Sequence, residues 1–384
     1  MGHKNDKNGS NARGLLLPPS VGYSFNVLAH LYKNNKISLQ YYPRMLAIGL
    51  INVINKPFRA YERYFINPGF KDVDIENSPV FILGHWRSGT TFLHNLLCSS
   101  PEMAYETTFQ SVFPDTLFNK AGNFIFESFM KLLIPKTRKG DNVKLSPDYP
   151  QEEEFALGSN VPMSYYYFWM FPRNARFFYD RYVRFENISE KDFQKWKEEY
   201  LLQIKKAIAN TNGKYFLSKN PPHTARIKVL LEMFPDAKFI HIHRNPVIVF
   251  LSTQHFFKVM LPNLQLQTFS SRKLDDLIFS VYNQMMHSYL NERNLIPEKN
   301  LVEIAFDDLE KDPLVTIKNI FDTLGIDGFE KSEPSIVKYI ESKKGYKKNR
   351  HTIRQKTLDK ILSEWGFAMK EWNYGIPDSV KIIK

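Results

Sequence analysis

Cysteine is almost missing from this chain: there is one, Cys98, in 384 residues. A lone thiol excludes an internal disulfide framework and fits a reducing compartment. It follows Leu96 and Leu97 on an expected helix, so a buried structural thiol is favoured over a nucleophile. The polar N-terminal residues have no apolar signal core. The strongest apolar run near them, residues 45–54, is too short to span a bilayer. A cytoplasmic protein is expected. No internal repeat is found, and no His/Cys cluster has the spacing of metal ligands, so no metal is expected. What is plentiful is apolar and basic: 43% hydrophobic residues, enough for one large core or a core with a helical appendage, and a net charge of +12. That charge suits a small polyanion, a nucleic acid or an anionic membrane surface equally.

Residues 80–97 carry the most information. An apolar run, Val80–Leu83, reads as a buried strand. A turn bounded by Gly84 and Gly89 follows, and Thr90 and Thr91 open a helix with apolar Phe92, Leu93, Leu96 and Leu97. Strand, glycine loop and helix N-terminus together make a cradle for a phosphate group. The two glycines fit the frame G-x-x-x-x-G-K-[ST], with Thr91 at the hydroxyl position. Thr90 occupies the lysine position, so the side chain that would reach the β- and γ-phosphates of ATP is missing, and the cation of the loop is Arg87, beside Ser88. The pattern points to an anion at the 5′ end of a nucleotide other than a triphosphate. Taken alone, it also fits an ordinary glycine turn.

A second segment runs from Phe234 to Pro246. It reads as a turn, a strand over 238–243, and Arg244 at the strand's C-terminal edge. Asn245 suits a helix N-cap and Pro246 the first helical position. Ser252 then falls about 9 Å along that helix, where it and Arg244 could grip one phosphate from two sides. A strand-end arginine paired with a carboxylate fits equally well. Further strand-like runs at 215–218 and 301–306 alternate with helical stretches, which predicts an α/β fold with a mainly parallel sheet.

Together the two segments resemble the sulfotransferases that use 3′-phosphoadenosine 5′-phosphosulfate (PAPS), closest to the bacterial branch that includes protein-tyrosine and carbohydrate sulfotransferases. Residues 87–91 look like that family's 5′-phosphosulfate loop, and Arg244, Asn245 and Pro246 with Ser252 look like its 3′-phosphate site. Phe306-Asp307-Asp308-Leu309, followed by Asp312-Pro313, is similar to a third family segment. The resemblance spans about residues 78–325. It implies a P-loop-like three-layer sandwich with a mainly parallel central sheet. Around it the sequence predicts a disordered tail over 1–20, a helical extension over 21–70, and a catalytic region over 71–384 whose segment 335–384 closes the site.

The resemblance also implies a reaction: metal-independent, in-line transfer of a sulfuryl group from PAPS to an acceptor hydroxyl. Gly84, Arg87, Ser88, Gly89, Thr90, Thr91 and Phe92 would hold the 5′ end, and Arg244 and Ser252 the 3′-phosphate. Lys348 and Arg350, in a basic run over 343–351, would close over it, unless that run is merely solvated. Arg87 and Lys219 are the candidates for stabilising charge on the leaving oxygen. Three candidates compete for general base: Glu106, His223, and the group Glu152, Glu153 and Glu154, represented by Glu153. Acids in a first helical turn also need no catalytic reason to be there.

The aromatic run 165–172 reads as core packing or as a stacking surface, and 256–274 as a lid. A glycan or glycolipid hydroxyl is expected as acceptor. Residues 22–68 read as helices packed on the core, or as a peripheral membrane-surface contact. The alternatives are a P-loop kinase or NTPase, which Thr90 disfavours, and a basic nucleic-acid-binding protein, for which no motif is present. Nucleic acid is therefore not an expected partner, and the sequence leaves the oligomeric state open.

Overall fold

Five short runs of apolar residues form one parallel sheet. β1 (Val80–Leu83) lies between β3 (Tyr215–Lys219) and β4 (Lys238–His243); β2 (Met103–Ala104) and β5 (Leu301–Ala305) are the edges, giving the order β2-β3-β1-β4-β5. The computed structural model describes residues 18–135, 137, 145–343 and 351–383. Side chains alternate across each strand. Phe81, Leu83, Phe216 and Phe239 enter one core with Trp196, Tyr200 and Tyr282. Val80, Ile82, Leu217, Ile240 and Ile242 enter a second core with Leu93, Ile317 and Phe321. Helices on both faces of a parallel sheet make the expected three-layer sandwich.

Register decides where the chemistry sits. Ile82 pairs with Lys219 and Leu83 with His241, so β1, β3 and β4 end close to one another at the same edge of the sheet. Ligands of open α/β sheets bind outside that carboxyl edge. Asn245 caps the next helix, accepting from the Val247 amide at 3.0 Å, and Pro246 takes the first helical position. That helix, Pro246–Leu264, is the only one among the described residues long and apolar enough to cross a membrane. Here Val247, Val249 and Phe250 are fully buried in the core.

Several expectations change. Residues 1–17 lie outside the described residues, while Pro18 and Ser20 are buried and the Ser20 carbonyl accepts from Asn52, so those two belong to the packed chain rather than a tail. Phe306 opens the helix Phe306–Lys311 instead of ending β5. Residues Tyr165–Trp169 form a buried 3-10 turn, in line with core packing. The segment 256–274, expected as a lid, is the end of the helix Pro246–Leu264, with Phe256, Met260 and Leu264 buried, a connection over 265–270, and the start of the helix Ser271–Glu292. Unforeseen was a parallel pair of short strands, β6 (His351–Arg354) and β7 (Val380–Ile383), around the helix Gln355–Glu371.

The N-terminal helices Phe25–Asn34 and Tyr42–Tyr61 pack on this body. Ion pairs at the end of the second helix and just after it fasten them: Lys206 Nζ to Glu62 at 2.7 Å and Arg59 to Asp115 at 2.9 Å, both buried, and half-exposed Arg63 to Glu199 at 3.0 Å. Burial would raise the Asp115 carboxyl, but the Arg59, Lys206 and Arg63 cations outweigh it and hold it below the usual range.

Candidate active site

The loop after β1 is as tight as its glycines allow. Gly84 has φ +139°, and a Cβ there would lie 2.4 Å from the Ile242 carbonyl oxygen. Gly89 has φ +100°, and its Cβ would lie 2.2 Å from the Phe306 ring. Only glycine fits either place. The Gly84 amide donates to Thr224 Oγ1 at 2.8 Å and the Ser88 amide to the His85 carbonyl at 3.2 Å, so these two residues shape the loop rather than offer amides to a ligand. Gly89, Thr90, Thr91 and Phe92 face the cleft, at the first turn of the helix Thr90–Leu97.

Arg87 is held at φ +71°, a left-handed conformation costing about 1–2 kcal/mol for a residue with a side chain. The consequence is where its guanidinium points. Nε donates to Ser252 Oγ at 3.0 Å and the group lies over the Phe256 ring at 5.0 Å. Arg244 lies over Phe306 at 4.2 Å and its Nη1 donates to the Arg87 carbonyl at 3.5 Å. Arg87 therefore stands beside Arg244 and Ser252 in the wall of the cleft. His351 shares this wall; burial first, then the Arg244 charge, lower its pKa. Lys348 and Arg350 lie outside the described residues; Lys343 and His351, which bracket them, both line the cleft.

The cleft has a volume of about 940 Å³. Beyond the arginines it becomes apolar, lined by Val112, Met130, Ile134, Phe155, Trp169, Met260 and Leu264. Where the two halves meet stands Glu152, with a side chain 10% exposed. Lys219, at the end of β3, and the Tyr166 hydroxyl each donate to one of its oxygens, and Trp86 Nε1 donates to that hydroxyl at 3.1 Å. Burial, then the Glu152 charge, keep the Tyr166 proton on.

The three adjacent acids have three fates. Glu154 is a fully buried partner of Arg226 at 2.7 Å and of Asn220 at 2.8 Å. Glu153 accepts from Ser218 and from Tyr200 at 3.1 Å, and lies 3.2 Å from His223 Nε2. Of the three, Glu152 lines the cleft and Glu153, which represented the group, does not. His223 is fully buried, its Nε2 also 2.8 Å from the Tyr200 hydroxyl, and burial lowers its pKa. Glu106 is 1% exposed and neither carboxyl oxygen has a hydrogen-bond partner among the described residues. Burial, then the Glu153 charge, push it well above the usual carboxylate range. Glu106, His223 and Lys219 are not part of the cleft wall; of the three, Lys219 is the one paired directly with cleft-lining Glu152.

Residues 79–331 match the sequence model of the sulfotransferase family. The chain belongs to that family. It is an enzyme that transfers a sulfuryl group. Over 363 residues it is 29% identical to omega-hydroxy-beta-dihydromenaquinone-9 sulfotransferase Stf3 of Mycobacterium bovis, covering 93% of this chain and 91% of that protein. The Stf3 protein of Mycobacterium tuberculosis is likewise 29% identical over 363 residues, with 93% of this chain and 91% of that protein covered. In fold it is similar to sulfotransferase STF9 from Mycobacterium avium, with a TM-score of 0.65 at 17% identity, covering 83% of this chain and 82% of the other.

For this sulfotransferase, sequence reasoning missed the apolar half of the cleft and the pairing of Lys219 with Glu152. One signal was available. Phe256, Met260 and Leu264 recur every four residues after Arg244, marking one face of the helix that the phosphate-binding segment opens. The partners Val112, Met130 and Phe155 come from distant segments that no local pattern joins.

Proposed function

We propose that the donor is PAPS and that the acceptor is a hydroxyl at the end of an apolar chain. The observation that carries this reading is a single cleft with a cationic end and an apolar end, joined at a carboxylate paired with a lysine. The cationic end, with Arg87, Arg244 and Ser252 beside a helix N-terminus, suits the two phosphate-bearing ends of the nucleotide. The apolar lining favours a lipid-borne hydroxyl over a free glycan, narrowing the earlier expectation. The similar Stf3 protein, whose acceptor is omega-hydroxy-beta-dihydromenaquinone-9, supports the same choice. A cytoplasmic location is part of the reading, supported by the single thiol.

The acceptor oxygen attacks sulfur in line with the bridging oxygen of the 5′-phosphosulfate. The new O–S bond forms as the old one breaks, leaving adenosine 3′,5′-bisphosphate and a sulfate ester. Glu152 takes the hydroxyl proton as the acceptor attacks. To Lys219, held against Glu152 just behind the cleft wall, we assign the charge that grows on the leaving oxygen, since a fixed cation helps most in the transition state. The hydrogen bonds from Trp86 to Tyr166 and from Tyr166 to Glu152 hold the carboxylate in one orientation.

Transfer of labelled sulfate from PAPS to a panel of long-chain alcohols, phenols and sugars tests the proposal. The long-chain alcohols are the expected products, and in thermal denaturation the bisphosphate should stabilise more than ATP. Labelling confined to sugars, or a preference for ATP, would overturn it.

A further inference from the structure

The helix Tyr42–Tyr61 is built inside out. Its inward face carries Ile48, Asn52, Asn55 and Arg59, all buried. Its outward face carries Leu46, Leu50, Val53 and Ile54, each more than half exposed. These fall at i, i+4, i+7 and i+8, one continuous stripe. Asn52 donates to the carbonyls of Ser20 and Ile48, and Arg59 to that of Gly22 at 2.6 Å, so the polar side is locked into the body and the helix cannot turn over. Exposed Tyr42, Tyr61 and Tyr64 flank the stripe. Rings of this kind favour the level of lipid headgroups.

Charge narrows the partner. From Lys7 to Tyr61 the chain contains no Asp or Glu, and within that stretch Lys33, Lys36 and Lys56 are exposed. Position links the stripe to the cleft. Arg44 ties one end of the helix to the Gln265 carbonyl at 2.8 Å, next to cleft-lining Leu264. Phe58, near its other end, packs on Phe126 at 5.8 Å, on the helix Lys120–Leu133 that places Met130 in the cleft and leaves Phe124 and Leu132 exposed.

We infer that this face docks the enzyme on a bilayer surface bearing anionic lipids, with the apolar half of the cleft opening toward the membrane that holds the acceptor. The identity of the partner rests on the lipid-acceptor reading above. A second copy of the chain fits less well, because it would bring the same acid-free, lysine-bearing segment against its own like. Apolar side chains buried at the lipid interface with lysines at the anionic headgroups are the two contributions such a surface combines.

The test is co-sedimentation of the full chain with acceptor-free vesicles of phosphatidylcholine, with and without phosphatidylglycerol. Binding should require phosphatidylglycerol and weaken with salt. Leu46→Gln with Leu50→Gln should weaken it about tenfold or more. Lys33→Gln with Lys36→Gln should cost about fivefold per charge on anionic vesicles. Phe177→Gln, a large exposed residue outside this face, should change nothing. The inference is overturned if the unaltered chain stays in the supernatant, if the leucine variant binds as well as it does, or if sedimentation equilibrium finds a dimer that the leucine variant abolishes. Sulfuryl transfer to a detergent-solubilised long-chain alcohol separates the two readings. Transfer without vesicle binding removes the docking surface alone, and vesicle binding without transfer to any such alcohol removes the acceptor assignment alone.

Discussion

The two halves of the cleft are made in different ways. The half that carries Arg87 and Arg244 is built from the ends of parallel strands and the turns that follow them. Its tolerances are those of the backbone, as at Gly89, where a single added carbon would meet Phe306 at 2.2 Å. The acceptor-facing half is made of side chains on covering helices, with Val112, Met130 and Met260 arriving from separate segments. Methionine and aliphatic walls can repack around ligands of different shape. A rigid half can fix the donor while the adaptable half sets which hydroxyl is presented, so changes in the two should affect different kinetic constants.

The largest effect is expected at the boundary between the halves. Glu152→Gln should lower kcat by about 10²–10⁴-fold with bisphosphate affinity nearly unchanged, measured by transfer kinetics and calorimetry. Lys219→Met should lower kcat by about 10²–10³-fold in the same assays. If either variant instead loses the nucleotide, the boundary belongs to the rigid half and the comparison breaks. Within the rigid half, Arg244→Ala should weaken bisphosphate binding by about 10–100-fold, the worth of a charge-assisted contact, with a much smaller change in acceptor KM. In the adaptable half, Met260→Ala with Leu264→Ala should raise KM for a long-chain alcohol by about tenfold. A short-chain alcohol should barely register the change.

The smallest effect concerns Glu106 and is read as stability. Its pKa is raised in the folded protein, so its contribution is greatest below the unfolded carboxyl value of about 4.3 and is lost as pH rises through the folded value. Glu106→Gln removes that dependence. Melting temperatures should be similar at low pH and favour the variant increasingly as pH rises, while turnover is kept. Turnover lost at unchanged stability would return Glu106 to the list of bases.

The same division governs what could be read from the chain. Val80–Leu83, the loop to Thr91, and Arg244 with its Asn-Pro helix start are contiguous, and local chemistry dictated each. Glu152, Glu153 and Glu154 show the limit. One face of a helix start separates them by direction, but which direction meets solvent-accessible space depends on Lys219, Tyr166 and Arg226 from elsewhere in the chain. Arg87 marks the same limit within a motif: its place was legible, but the turn of its side chain toward Ser252 follows from a left-handed backbone that no pattern announces.

The strand order carries a consequence for biosynthesis. Val80 takes Leu217 and Lys238 as its neighbours, and the Gly89 turn is braced by Phe306. A nascent polypeptide cannot complete this loop's surroundings until Phe306 has left the ribosome, since its contacts are non-local in sequence. Before Leu217 and Lys238 have emerged, the early strand has no partners on either side. An unpaired apolar strand is the kind of segment through which an incomplete chain associates with others.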